Sequence, residues 1–206
     1  RQGRVHAFCH ALPDRWEAMG VMLSAGGSLR WLRDALAPTV SYAELTAEAE
    51  RWPAGAEGLV FLPYLQGERT PHADPDARGL FQGLSLRHDR GALVRAVLEG
   101  VAYGLRDSLA LLQELGVAPT AGRASGGGAK SDLWLRIVAS VLDLPLELPA
   151  VEEGSAYVFA HAQEAVERCV RVRETIEPVA EWQAAYDDGY ARFRALYPAL
   201  RSVEGR

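Results

Sequence analysis

The sequence has little sulfur and no long apolar run. It contains two cysteines, Cys9 and Cys169, and two methionines among 206 residues. Two cysteines so far apart are not a disulfide framework and are typical of proteins from a reducing compartment. We therefore expect buried free thiols and a cytoplasmic protein. No stretch of 18 or more apolar residues occurs, which argues against a membrane span.

An excess of positive charge is also lacking. With 22 basic and 27 acidic residues the formal net charge is −5, which argues against nucleic acid or an anionic membrane as the main partner.

The sequence gives only weak support for a metal site. On a strand, His6 and His10 would share one face while Cys9 would point to the other, so we prefer ordinary packing for these residues and predict no metal ligands.

The chain begins at Arg1 without an initiator methionine and without a signal-peptide apolar segment. We therefore expect it to be the middle of a longer protein. Its composition, 49% apolar and 24% charged, is that of an ordinary globular protein.

Short apolar runs alternate with helical periodicity, which favours an α/β class. Strands are predicted over residues 5–9, 18–23, 59–62, 80–86 and 144–148, with a turn at residues 12–15. Helices are predicted over residues 28–36, 42–51, 90–116, 133–142, 163–170 and 180–196. In the longest helix, Gly116 is the expected C′ residue. Glu99 lies inside that helix among apolar neighbours, so it needs a partner, and a structural and a functional role are equally open.

One glycine-rich stretch points to a ligand. Residues 125–132 read Ser-Gly-Gly-Gly-Ala-Lys-Ser-Asp between a possible strand and a helix. Glycines allow positive φ and close approach of a ligand to the main chain, and a helix start offers free N–H groups to a phosphate. The stretch matches neither the P-loop nor the dinucleotide fingerprint, whose G-x-G-x-x-G is absent. A simple turn is the structural alternative.

A second strand–glycine–helix junction lies earlier, at residues 24–27. Two such junctions favour a ligand held between them, although either can be structural. The long loop at residues 63–79 combines three prolines with several charges, and loops of this length are usually functional or flexible. Its alternative interpretation is a surface connection with exposed ion pairs such as Glu68–Arg69.

Several of these runs together resemble one known family. Residues 61–71, Phe-Leu-Pro-Tyr-Leu-Gln-Gly-Glu-Arg-Thr-Pro, with residues 79–84, 98–100 and 126–131, resemble the C-terminal domain of the FGGY carbohydrate kinases in the family's own order. Within the family, residues 67–72 point most closely to the xylulokinases. The resemblance implies a ribonuclease H-like, actin-type ATPase domain of the α/β class, with a mixed sheet flanked by helices and incomplete at its N-terminal end.

The resemblance also implies an activity. Residues 1–206 would be part of the C-terminal, nucleotide-binding domain of a two-domain sugar kinase that uses ATP and Mg²⁺ to phosphorylate a ketopentose, D-xylulose above all. The sugar-binding domain and the catalytic base would precede residue 1. This chain alone is therefore expected to bind nucleotide weakly at best and not to phosphorylate sugar. Alternatives are a kinase for glycerol, gluconate or ribulose, or a non-catalytic assembly domain, and a homodimer is possible.

The resemblance assigns residues to the nucleotide. At the second junction, the α-phosphate and ribose would be lined by Gly126, Gly127, Gly128 and Ala129. Lys130 would also belong to the nucleotide site, and Ser131 and Asp132 would lie near the adenine. From the first junction, Gly26, Gly27 and Arg30 match a family position that touches the nucleotide, where many relatives carry Gln in place of Arg30. Glu68 and Arg69 are candidates for domain closure or substrate contact. No catalytic residue is assigned within the chain.

The sequence also departs from the family pattern at two places. Relatives follow the loop at residues 152–157 with a helix of small residues, whereas here Tyr157 precedes Val158 directly. We expect that residues are omitted at this point, which a carbon–nitrogen separation well beyond ~1.33 Å would reveal. Ala92 replaces a residue that is usually polar, which we interpret as drift.

Overall fold

The computed structural model describes residues 5–10, 13–150 and 171–205. Its strands are β1 (His6–Cys9), β2 (Trp16–Met19), β3 (Val60–Leu62), β4 (Leu80–Gln82), β5 (Gly122–Arg123), β6 (Leu146–Pro149) and β7 (Val172–Ile176). Its α-helices are α1 (Ala25–Leu36), α2 (Tyr42–Glu50), α3 (Arg90–Glu114), α4 (Asp132–Leu142) and α5 (Gln183–Val203). The predicted helix 163–170, the loop 152–157, the Tyr157–Val158 connection and Cys169 lie outside the described residues.

The described strands form three small sheets. Strands β1 and β2 make an antiparallel hairpin, and β3 pairs with β4, also antiparallel. The third sheet has the order β5-β6-β7, with β5 parallel and β7 antiparallel to β6. This mixed sheet, with helices packed around it, confirms the α/β prediction.

Several predicted boundaries were wrong. The second strand was predicted at 18–23, but it runs over Trp16–Met19 because residues 21–23 bond to a distant loop instead of to β1. The fourth strand ends at Gln82 instead of residue 86, since Gly83 takes a positive φ of 93° there. Strand β7 was missed. Cys9 is exposed, not buried as expected, because β1 lies on the outer hairpin.

Helix α3 forms the centre of the core. Its first half is buried on every side, whereas its second half is buried on one side only. It crosses β3 so closely that a Cβ on Gly100 would lie 2.1 Å from the carbonyl oxygen of Phe61. The helix ends as predicted, since Gly116 has φ 88° and its N–H bonds to Gln113 O at 2.9 Å.

Glu99 was expected to need a partner, and the structure shows that this partner is Arg95, one helical turn earlier. Arg95 Nε donates to Glu99 Oε1 at 2.6 Å, and the N–H of Gly55 donates to the same oxygen at 3.0 Å. The guanidinium also donates to the hydroxyl of Tyr186 on α5 at 2.7 Å. Both charged side chains are almost completely buried. The network therefore links α5 and the segment before β3 to α3, which is a structural role.

Among the described helices, none combines the length and apolar character that crossing a membrane requires.

Candidate nucleotide site

A pocket of about 230 Å³ lies beside the second glycine junction. It is formed where β5 and β6 end, and because these strands are parallel their carboxyl ends meet at the same edge of the sheet. In open α/β sheets, ligands characteristically bind beyond such carboxyl ends. The pocket is lined by Ala124, Ser125, Gly126, Gly127, Ala129, Lys130, Leu148, Pro149 and Arg173.

The local sequence explains how the main chain turns at this pocket. Gly126 has φ 80°, a conformation that side chains disfavour, and residues 127–130 then form one 3-10 turn. Helix α4 starts immediately afterwards, capped by the hydroxyl of Ser131, which accepts from the N–H of Trp134 at 3.3 Å. The first N–H groups of such a turn have no partner within it, so they are available to a bound anion.

The three glycines of the junction differ in what requires them. A Cβ on Gly128 would lie 2.8 Å from the indole nitrogen of Trp134, so packing alone explains that residue. Gly126 is explained by its positive φ. A Cβ on Gly127 would meet nothing within 4 Å, and its φ is not in the left-handed region. The fold does not require a glycine at position 127, which favours a ligand as the reason for it.

Two basic side chains contribute to the pocket wall. Lys130 belongs to the 3-10 turn, and Arg173 comes from β7, whose start pairs with Pro149. Asp132 is exposed in the first turn of α4, where its negative charge interacts favourably with the positive end of the helix dipole. Arg173 was not predicted from the sequence. The signal available was the run Val-Arg-Glu-Thr-Ile at residues 172–176, whose β-branched residues are typical of a strand.

The first glycine junction forms the start of α1. Gly26 and Gly27 lie in its first turn, both exposed, and a Cβ on either would meet nothing within 4 Å. Ser24 is the N-cap residue, but its side chain makes no capping bond. Arg30 is exposed on the same helix. None of Gly26, Gly27 and Arg30 is among the residues that line the pocket of the second junction.

The loop at residues 63–79 is bound to the segment that precedes α1. The N–H of Val21 donates to Thr70 Oγ1 at 2.9 Å, and the N–H of Thr70 donates back to Val21 O at 3.0 Å. Gln66 Nε2 donates to Leu23 O at 2.8 Å. The interpretation of this loop as a surface connection is therefore wrong for Glu68 and Thr70, which are buried and bond to this segment, whereas most of residues 71–79 are exposed or half-buried.

Glu68 lies at the centre of these contacts. Its Oε1 accepts from the N–H of Leu23 at 3.1 Å and from the N–H of Arg69 at 2.7 Å. The side chain is 2% exposed, whereas Arg69 is exposed, so the predicted surface ion pair between the two is absent. Burial raises the pKa of the Glu68 carboxyl to about 7, against the two N–H groups, which favour its charged form.

No cluster of three or more His, Cys, Asp or Glu side chains within residues 5–10, 13–150 and 171–205 is arranged to hold a metal ion. Of the candidate carboxylates, Glu68 lies in the loop before β4 and Asp132 at the start of α4.

Comparison with known proteins gives a consistent result. Residues 2–160 match the model of the FGGY family of carbohydrate kinases, C-terminal domain. The chain is 37% identical over 210 residues to xylulose kinase from Staphylococcus epidermidis, covering 97% of this chain and 42% of the relative. It is 38% identical over 166 residues to gluconokinase from Bacillus licheniformis, covering 75% of this chain and 32% of the relative.

Among solved structures, xylulose kinase from Rhodospirillum rubrum superposes with a TM-score of 0.87 at 38% identity, covering 98% of this chain and 43% of the other. The similarity confirms the expected actin-type ATPase fold. The chain spans less than half the length of these relatives.

Proposed function

The chain belongs to the FGGY family of carbohydrate kinases, and from that premise we propose that it supplies the nucleotide-binding part of an enzyme that phosphorylates D-xylulose with ATP. The observation that carries the proposal is the pocket beside Gly126 and Gly127, with Lys130 and Arg173 in its wall. Glycine at 127 is not needed by the fold, so its exposed main chain is suited to contact with a ligand.

In this proposal the phosphates and ribose of ATP contact the turn at residues 126–129, and Lys130 supplies positive charge. Ser131 and Asp132 lie towards the adenine. Gly26, Gly27 and Arg30 at the start of α1 form the opposite wall of a wider cleft. Mg²⁺ bound with the nucleotide would neutralise phosphate charge, as phosphoryl transfer requires, and no residue of this chain is assigned to hold it. The sugar and the catalytic base belong to a second, N-terminal domain, so residues 1–206 alone are inactive.

The test is a coupled ATPase assay of the full-length protein across ketoses and polyols with Mg²⁺. We expect the highest kcat/KM with D-xylulose. The similarity to a gluconokinase over three quarters of the chain makes gluconate the second candidate substrate. Higher kcat/KM with gluconate, glycerol or ribulose would overturn the choice of sugar. Failure of the full-length protein to bind an ATP analogue would favour a non-catalytic assembly domain and overturn the kinase proposal.

A further inference from the structure

The segment that enters α1 is fixed from two sides. On one side it packs against α3, since a Cβ on Gly20 would lie 2.6 Å from the side chain of Ser108 and one on Gly104 would lie 2.4 Å from Met22. On the other side, the loop at residues 66–70 bonds to its main chain at positions 21 and 23. The main chain at Leu23, two residues before the first residue of α1, is therefore held by contacts on both sides.

Within residues 66–70 of the loop, Glu68 is a buried charged residue whose burial the fold does not explain. Its Oε1 accepts both the N–H of Leu23 and the N–H of Arg69. Its Oε2 is buried, and within the part of the chain that the structure describes it has no hydrogen-bond partner. A buried polar oxygen left without a partner is costly, and a shorter or apolar side chain would avoid that cost. The hydrogen bond from the N–H of Leu23 to Glu68 offsets part of this cost and fixes the position of Leu23.

The first turn of α1 depends on that position. Ser24 follows Leu23 as the N-cap residue and makes no capping bond with its side chain. Gly26 and Gly27 then present their main chain to solvent without any neighbour that a Cβ would meet. The direction of these N–H groups is therefore set by the preceding main chain rather than by a local cap.

We infer that Glu68 is a positioning residue that fixes Leu23 and thereby orients the first turn of α1 for the nucleotide. The inference rests on the proposed function, because it takes α1 as one wall of the nucleotide cleft. It differs from the alternative in which Glu68 touches the sugar or the other domain, since the carboxyl group faces the protein interior on both of its oxygens.

The inference predicts a split between the two substrates. In the full-length protein, Glu68→Ala removes the acceptor for two N–H groups, so we expect KM for ATP to rise about tenfold, with KM for the sugar changed less than about twofold. Glu68→Gln keeps a carbonyl oxygen at the same place and is expected to restore KM for ATP to within about threefold of wild type. Glu181→Ala removes an exposed glutamate and serves as the matched control.

If Glu68→Ala fails to fold, Gln66→Ala and Thr70→Val serve instead, because each removes one bond to the same segment. Both are expected to raise KM for ATP in the same direction. A rise in KM for the sugar alone, a fall in kcat with both KM values unchanged, or no rescue by Glu68→Gln would overturn the inference. These outcomes are distinct from failure of the proposed function, in which wild type itself would not use or bind ATP.

Discussion

Two glycines with a positive φ separate the effect of backbone strain from the effect of ligand contact. Gly116 has φ 88° and Gly126 has φ 80°, and a Cβ on either would meet nothing within 4 Å. Alanine at each position therefore meets no steric overlap with a neighbour and costs only the backbone strain of a positive φ, about 1–3 kcal/mol. Gly126 lines the candidate pocket and Gly116 does not. We expect both variants to lose stability within this range, and only Gly126→Ala to lose nucleotide affinity.

Gly127→Val completes the comparison. Because the φ of Gly127 is not left-handed and its Cβ position is open, we expect an unfolding free energy within about 1 kcal/mol of wild type. A side chain there would project from the main chain that the nucleotide contacts. Affinity should fall at least tenfold, which corresponds to about 1.4 kcal/mol.

The measurement is isothermal titration calorimetry of the full-length protein with a non-hydrolysable ATP analogue and Mg²⁺, beside urea unfolding of the same variants. Equal affinity losses for Gly116→Ala and Gly126→Ala would mean that strain alone is responsible. Wild-type affinity in Gly127→Val would refute the reasoning altogether, since it would show that nothing approaches this main chain.

Three further predictions concern the interior. Arg95→Met leaves Glu99 buried without its cation and is expected to lower the unfolding free energy, measured in urea, by about 3–5 kcal/mol. The control is Arg192→Met, which breaks an exposed ion pair of the same i,i+4 spacing and should lower it by less than about 1 kcal/mol. The pKa of Glu68 is raised in the folded state to about 7 from 4.5. The unfolded chain therefore binds fewer protons at this residue between these values, so Glu68 lowers stability by at most about 3 kcal/mol as pH rises from 4.5 to 7. Wild type should lose more stability over this range than Glu68→Gln, which keeps only the contributions of other carboxyls such as Glu99. Gly100→Ala should cost about 3 kcal/mol or more in the same urea assay, because its Cβ would overlap the carbonyl of β3.

Each of these expectations has a clear opposite. Equal losses for Arg95→Met and Arg192→Met would contradict the buried network. A pH dependence that is the same in wild type and in Glu68→Gln would mean that Glu68 titrates normally. Wild-type stability in Gly100→Ala would show that α3 and β3 separate at little cost.

The local turns and helix starts, including those beside the candidate site, could be predicted from the sequence. Gly116 was identified as a C′ residue because a glycine ends the helical pattern there, and both glycine junctions were predicted before helices. These features depend on short-range patterns, in which the conformation of one turn decides which residue is allowed. The role of Glu68 was not predicted, because its partners at Leu23 and Arg69 are indistinguishable in sequence from any other main chain.

What the sequence alone determined is therefore local: the α/β class, the helix starts and ends, and a set of runs specific enough to identify a family. Only the tertiary structure decided which charges are buried and which glycines are free. Glu68 and Arg69 are adjacent in the chain, yet one is buried and the other exposed, and Gly127 and Gly128 differ only in whether Trp134 lies against them. Burial and close contact depend on how the helices and loops pack in three dimensions, and a short sequence pattern does not contain that information.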